Sequence, residues 1–269
     1  MTHGSRKRVS EGLRVLRSVR ARDRPALLGY LALNLVERST GLSFHARTRT
    51  IHLEDGSRVA YQTFSSQLGP YVEILLDGIY DRCPGFDATP GQTVFDLGAN
   101  IGFYTLKHAR AVGPRGHVYA FEPNPRTFQL LLRNVRDNGL HWVTCLPYAV
   151  SSKSRETVTL WSSPRWTSTA SLFPDTKRTG TEGVAVETIS LDDFVAEAGI
   201  GRIDILKIDT EGAEALVVEG GLRRALPMAR RVVMESHRTR EKVRELLEPL
   251  GFKMVLDDRA HHVVFFTQE

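Results

Sequence analysis

Cysteine is nearly missing. Cys83 and Cys145 are the only two in 269 residues, too few for a disulfide-stapled scaffold or a four-thiolate zinc site. Long apolar runs are missing too: the longest nearly apolar stretch, residues 26–36, is well short of the ~18–20 residues a bilayer crossing needs. The N-terminal basic residues are not followed by an apolar segment with a small-residue cleavage site, so the expected compartment is the cytoplasm. No internal repeat or low-complexity tract is visible. With 41% hydrophobic and 25% charged residues, the composition argues against a disordered, collagen-like or coiled-coil chain. The length suits one substantial domain with a terminal extension.

Charge is unevenly spread. The formal net charge is +5. Residues 1–24 carry eight basic side chains (Arg6, Lys7, Arg8, Arg14, Arg17, Arg20, Arg22 and Arg24) against Glu11 and Asp23, so the remaining 245 residues sum to about −1. A basic head on a near-neutral body does not make the body a nucleic-acid binder. The head reads as a solvated, partly helical tail. The alternative is an amphipathic helix, with Val9, Leu13 and Leu16 on one stripe, making weak contact with an acidic surface, lipid or partner.

Residues 26–38 read as a helix through Leu27, Leu28, Leu31 and Leu35. Two short alternating runs, 50–53 and 58–62, flank Asp55-Gly56 and predict a hairpin. Residues 70–80 read as a helix leading into a Pro/Gly-rich joint, 83–91. That joint predicts a boundary: 1–90 as a basic extension and cap, 91–269 as the main domain.

From residue 93 the pattern becomes strand, turn, helix, repeated. Strands are expected at 93–96, 117–121, 142–150, 203–208 and 231–234, with a further one at 158–161. Helices are expected at 102–112, 125–138, from 214 to near 226, and 239–250, with Ser190 capping a short one through 198. Runs 252–256 and 263–267 are separated by a turn too short for a parallel crossover, so they must pair as an antiparallel hairpin. The expected fold class is α/β: an open, Rossmann-like, mostly parallel sheet with a C-terminal antiparallel hairpin, plus an N-terminal helical and hairpin cap. That is the layout of the class I methyltransferase fold.

In such sheets ligands bind at the carboxyl ends of the strands. The first strand runs from Asp96 into Gly98, Asn100 and Gly102. Asn100 stands where a dinucleotide motif needs glycine, and no Lys-Ser/Thr pair follows, so this is neither G-x-G-x-x-G nor a P-loop. The second ends in Glu122-Pro123-Asn124, and an acid at that tip is placed to accept both hydroxyls of a ribose. The third ends near Ala149, where small residues suit contact with an adenine edge. The fourth delivers Asp209, Glu211 and Glu214 within six residues. Lys207 lies inside that strand and calls for a nearby acid, Asp209 or another. Glu214 is read as offsetting the next helix's dipole, Asp209 as functional. The fifth ends in Glu235-Ser236-His237, and an imidazole there can take a proton near neutral pH. His261 and His262 read as surface residues.

The segments VFDLGANIGFYT, AFEPNP, LKIDTEGAE and VVMESH resemble the FkbM family of S-adenosylmethionine-dependent methyltransferases, over roughly residue 93 to the C-terminus with looser similarity at 73–80. The resemblance implies a methyl donor lying across the strand tips. Asp96, Gly98, Asn100 and Gly102 would surround its methionine part, Glu122 with Asn124 its ribose, and Ala149 its adenine, with Asp209 near the methyl group. It also implies O-methylation of a sugar or natural-product hydroxyl, a small-molecule or glycoconjugate acceptor, and no nucleic-acid partner. His237 is the first candidate base and Asp209 the second. Asp209 and Glu235 could instead hold a divalent cation, but so few carboxylates fall short of a ligand set, and no metal site is assigned.

Three other classes fit parts of the chain. A nucleic-acid methyltransferase would bind phosphates through the Arg-rich head, yet the body lacks an aromatic-and-basic stripe and an Asn-Pro-Pro-Tyr-like signature. An NAD oxidoreductase would need the third glycine. A non-catalytic binding module could use the same fold. Trp161, Trp166 and Phe173 fall in an irregular region, 151–186, and are read mostly as packing. Oligomeric state is unreadable from sequence.

Overall fold

The computed structural model describes residues 13–29, 32–33, 46–63, 65–163, 170–173, 181–236 and 239–268. The hairpin expected around Asp55-Gly56 is present: β1 (Thr48–His52) pairs antiparallel with β2 (Arg58–Gln62). Asp55 fixes the turn by accepting from the backbone N–H and the hydroxyl of Ser57.

The central sheet has seven strands. β3 (Thr93–Leu97), β4 (His117–Phe121), β5 (Val143–Leu146), β9 (Ile203–Ile208) and β10 (Ala229–Glu235) run parallel. β12 (Val263–Thr267) is antiparallel to β10 and to the edge strand β11 (Lys253–Asp258). The spatial order is β11-β12-β10-β9-β3-β4-β5. β3 and β9 are neighbours while β4 and β5 extend the other way, so the order reverses beside β3, the point at which a doubly wound sheet opens a crevice. This is the class I methyltransferase arrangement expected above.

Helices cover both faces: α1 (Phe103–Val112), α2 (Pro125–Asp137), α3 (Leu191–Glu197), α4 (Glu214–Glu219) and α5 (Arg240–Leu247). Asn124 caps α2 by accepting from the amides of Arg126 and Thr127, with Pro125 at the first helical position. Ser190 caps α3 as expected. On one face, Phe95, Tyr119, Phe121 and Phe194 pack as a ring cluster with centroids 5.0–6.1 Å apart. The other face is continuous with residues of the N-terminal region, from Val15 and Val19 through Tyr80 to Phe86.

Several expectations need correction. The third strand does not run through 142–150. Pro147 has no N–H to give a ladder, and after β5 the chain leaves the sheet. β6 (Ala149–Val150) instead joins β8 (Glu182–Ile189), which also pairs antiparallel with β7 (Thr157–Ser162), forming a separate three-stranded sheet. The helix from Glu214 stops at Glu219, where Gly220-Gly221 has low helix propensity and Gly220 lies flush against the Ser151 carbonyl. The 70–80 helix is short: one α turn, Gly69–Tyr71, leads into a π turn, Val72–Leu76. The 239–250 helix tightens into a 3-10 turn at Glu248–Leu250, around Pro249.

The basic head also differs where it is described. Residues 13–18 form a helix, and Val15, Leu16 and Val19 are buried while Leu13 is exposed. Val19 bridges Leu53, and the Arg20 amide donates to the His52 carbonyl, so this part is not a solvated tail. Arg14 pairs with Asp77 and Arg24 with Glu54. Val9 lies outside the described residues, as do Leu31 and Leu35 of the expected 26–38 helix, of which Leu27 is buried and Leu28 exposed. Among the described residues no helix is long and apolar enough to cross a membrane.

Candidate active site

A cavity of about 850 Å³, counting the space open to solvent, lies across the carboxyl ends of β3, β4 and β9. Gly98, Asn100, Glu122, Ala149 and Asp209 line it, together with Tyr148, Lys207 and Glu211. Five of the eight positions selected from sequence for donor binding thus share one wall. The other three lie behind it. Asp96 is fully buried beneath, Gly102 caps α1 with φ +100°, and Asn124 caps α2.

Gly98 makes the cavity's floor. It has φ +75°, and a Cβ built there would lie 1.8 Å from the Asp209 carbonyl oxygen. Only glycine lets the β3 and β9 tips approach this closely. The amides of Gly98 and Ala99 both donate to the Phe121 carbonyl, tying the turn to β4.

Glu122 is 6% exposed. Its Oε2 accepts from the Asn100 amide and its Oε1 from the Asn124 amide, each at 2.9 Å. Each oxygen therefore keeps a lone pair for a further donor, which is what two adjacent ribose hydroxyls supply. Burial pushes its carboxyl up to about 7, against the two amide bonds and the Lys207 charge, which pull it down.

Lys207 meets the requirement set by the sequence. Its ammonium is 3.0 Å from Asp96 Oδ1 and 3.4 Å from Asp209 Oδ2, and it donates to the carbonyls of Leu97 and Gly98. Burial alone would lower its pKa, but Asp96 and Asp209 outweigh burial and raise it. Asp96 also accepts from the Thr105 hydroxyl at 2.6 Å. The Asp96 carboxylate therefore contacts Lys207 and Thr105 and is not among the residues lining the cavity. Glu214, in the first turn of α4, accepts from the Gly212 amide and the Thr239 hydroxyl.

Sequence reasoning missed Tyr80. Its hydroxyl lies 3.0 Å from Asp209 Oδ2 and 3.1 Å from Glu235 Oε2. This phenol stands between the two carboxylates considered as cation ligands, and among the described residues no cluster of three or more metal-ligating side chains occurs. The only signal was the looser similarity at 73–80. Leu160, Ala170 and Leu172 line the cavity, whereas Phe173 is 52% exposed rather than packed. Trp161 is half-buried, and Trp166 lies outside the described residues, as does His237. His261 is not a free surface residue, since its ring contacts Asp258 and Arg82.

Comparison with known proteins accounts for this arrangement. Residues 96–254 match the methyltransferase FkbM domain. The chain belongs to the FkbM methyltransferase family. It is 30% identical over 245 residues to methyltransferase sdnD of Sordaria araneosa, covering 79% of this chain and 93% of that one. With the 31-O-demethyl-FK506 methyltransferase FkbM of Streptomyces tacrolimicus it shares 31% identity over 240 residues, 77% of this chain and 90% of that one. The hexuronic acid methyltransferase AglP of Haloferax volcanii is 32% identical over 152 residues, 56% of this chain and 58% of that one. This FkbM-family chain is an S-adenosylmethionine-dependent methyltransferase. The cavity suits that donor: a glycine floor with no room for a Cβ, and a buried acid with lone pairs to spare at the β4 tip.

Proposed function

We infer that this enzyme transfers the methyl group to a hydroxyl oxygen of a sugar or natural-product acceptor. The observation that carries the reading is Asp209, whose carboxylate lines the cavity at the end of β9 with a quarter or less of its side chain exposed. The relatives are named for a hexuronic acid and for 31-O-demethyl-FK506, which supports hydroxyl acceptors. The two thiols, both free, favour a cytoplasmic setting. The N-terminal 90 residues are proposed as the cap over a methyltransferase domain of 91–269.

Bound S-adenosylmethionine supplies an activated methyl group with a good leaving group. The protein's work is alignment of donor and acceptor, and removal of one proton. Gly98, Asn100 and Ala149 shape the wall against which the donor lies. Glu122 accepts the ribose hydroxyls. Asp209 takes the acceptor's proton as its oxygen bonds to carbon. His237 follows the β10 tip in sequence and is the competing base. Asp209→Asn should lower turnover by about 100-fold or more while donor affinity stays within a few-fold. A comparable loss confined to His237→Ala would move the role to that imidazole. The assay is transfer of isotope-labelled methyl to methyl hexuronosides and 31-O-demethyl-FK506, with product read by mass spectrometry. Label appearing only on nitrogen, carbon or RNA would overturn the hydroxyl reading.

Donor binding should also depend on pH. A carboxyl that titrates at about 7 in the free cavity is mostly neutral at pH 6 and mostly ionised at pH 8. If the ionised form accepts the ribose hydroxyls, affinity for S-adenosylhomocysteine rises about tenfold between those two values, following the ionised fraction. Calorimetry at both pH values checks it, and Glu122→Gln should flatten the dependence. An affinity in the unaltered protein that does not change would remove Glu122 from the binding step.

A further inference from the structure

The Tyr80 hydroxyl has one proton and two carboxylate acceptors, Asp209 Oδ2 at 3.0 Å and Glu235 Oε2 at 3.1 Å. A phenol cannot donate to both at once. The conflict is resolved if one carboxyl carries its own proton and donates to the phenol oxygen, which then donates to the other. Local charge decides which. Asp209 has the Lys207 ammonium at 3.4 Å, and Lys207 is shared with Asp96. Burial first, and then the charges of Asp209, Glu211 and Glu73, push the Glu235 carboxyl up to about 9. The order of the chain follows: Glu235 donates to Tyr80, and Tyr80 donates to Asp209.

Both described partners of the Asp209 carboxylate, Tyr80 and Lys207, sit on Oδ2. Neither sits on Oδ1, and Asp209 lines the cavity. Tyr80 itself is fully buried and does not line the cavity. Its ring is held edge-on to Tyr104 at 5.7 Å and lies 5.5 Å from the Lys207 ammonium.

We propose that Tyr80 is a positioning residue of the transfer reaction: with Glu235 behind it, its hydroxyl pins Oδ2 of Asp209 and presents Oδ1 to the acceptor hydroxyl. The proposal rests on the methyl-transfer reading of the same site. It links the N-terminal region to the chemistry, because Tyr80 precedes β3 while Asp209 and Glu235 end β9 and β10. No proton leaves the site through the relay in this scheme. The acceptor's proton ends on Oδ1, and the Glu235 and Tyr80 protons stay where they are.

The first test needs no acceptor. In protein saturated with S-adenosylhomocysteine, proton NMR should show a Tyr80 hydroxyl proton protected from exchange. It should vanish in Tyr80→Phe and shift in Asp209→Asn and in Glu235→Gln. A hydroxyl exchanging freely, or one indifferent to Asp209→Asn, overturns the proposal. In the labelled-methyl assay, Tyr80→Phe should lower kcat about tenfold with donor KM unchanged, and an unchanged kcat overturns the positioning role. Should Tyr80→Phe fail to fold, Glu235→Gln and Glu235→Leu decide. The amide can still bond the phenol and should keep most of the turnover, the leucine should lose it, and equal rates for the two overturn the relay. Absence of any binding heat with S-adenosylhomocysteine, with the protected hydroxyl present in ligand-free protein, would overturn the methyl-transfer reading alone.

Discussion

Gly98→Ala should yield a protein that melts well below the unaltered one and no longer binds S-adenosylhomocysteine measurably. The added carbon would sit 1.8 Å from the Asp209 carbonyl oxygen, and the obstacle is backbone rather than a side chain that could swing away. Forcing β3 and β9 tips apart belongs with overpacking, about 1–3 kcal/mol. Holding alanine in a left-handed conformation adds about 1–2 kcal/mol. For a chain of this size each kcal/mol lowers Tm by about 2–4 °C. Binding suffers separately, because Asp209, Lys207 and the Gly98 carbonyl move together: Lys207 donates to that carbonyl at 2.9 Å. Differential scanning calorimetry and ligand calorimetry on the same sample check both effects. An alanine variant with native Tm and native affinity would mean that this close approach does not shape the site.

Much of the scaffold was legible because the signals were local. The runs 117–121, 203–208 and 263–267 are strands with the bounds read from sequence, since apolar β-branched stretches framed by turns leave few alternatives. The hairpin at Asp55-Gly56 followed from turn chemistry, and the order-reversing crevice followed from the alternation of strands and helices. What was illegible depended on distant partners. The expected strand ran straight through Pro147, and nothing local showed that residues 149–150 would pair with a strand starting at Glu182. Charge density made the head look solvated, while Val15, Leu16 and Val19 carried the decisive contact with the hairpin region. Asp96 and Asp209 were both expected against the donor, Asp96 at its methionine part and Asp209 near the methyl group. Lys207 separates them, leaving Asp96 buried and Asp209 at the wall. Tyr80 carried no motif, and its contact with Asp209, 129 positions further along the chain, becomes visible only in the folded structure.

Lys207→Met is the second large effect, and it separates scaffold from chemistry. Removing the ammonium leaves Asp96, fully buried, and Asp209 beside it with no cation among their described partners. Breaking a buried pair from one side costs about 3–5 kcal/mol, because a charge is left uncompensated, and this corresponds to a fall in Tm on the order of 10 °C. The sign with pH follows from Lys207 itself. Its pKa in the fold is raised, so its stabilisation is complete below the unfolded lysine value and fades only as pH climbs through the higher folded value. In the unaltered protein this contribution is therefore flat between pH 5 and pH 8. Adding Asp96→Asn removes one of the stranded charges and should restore part of the lost stability, with a coupling of 1 kcal/mol or more in the double-mutant cycle. Donor affinity should stay low in both, because the carbonyls of Leu97 and Gly98 lose the donor that held them. Additive effects of the two substitutions would mean that Lys207 stabilises the fold by packing alone.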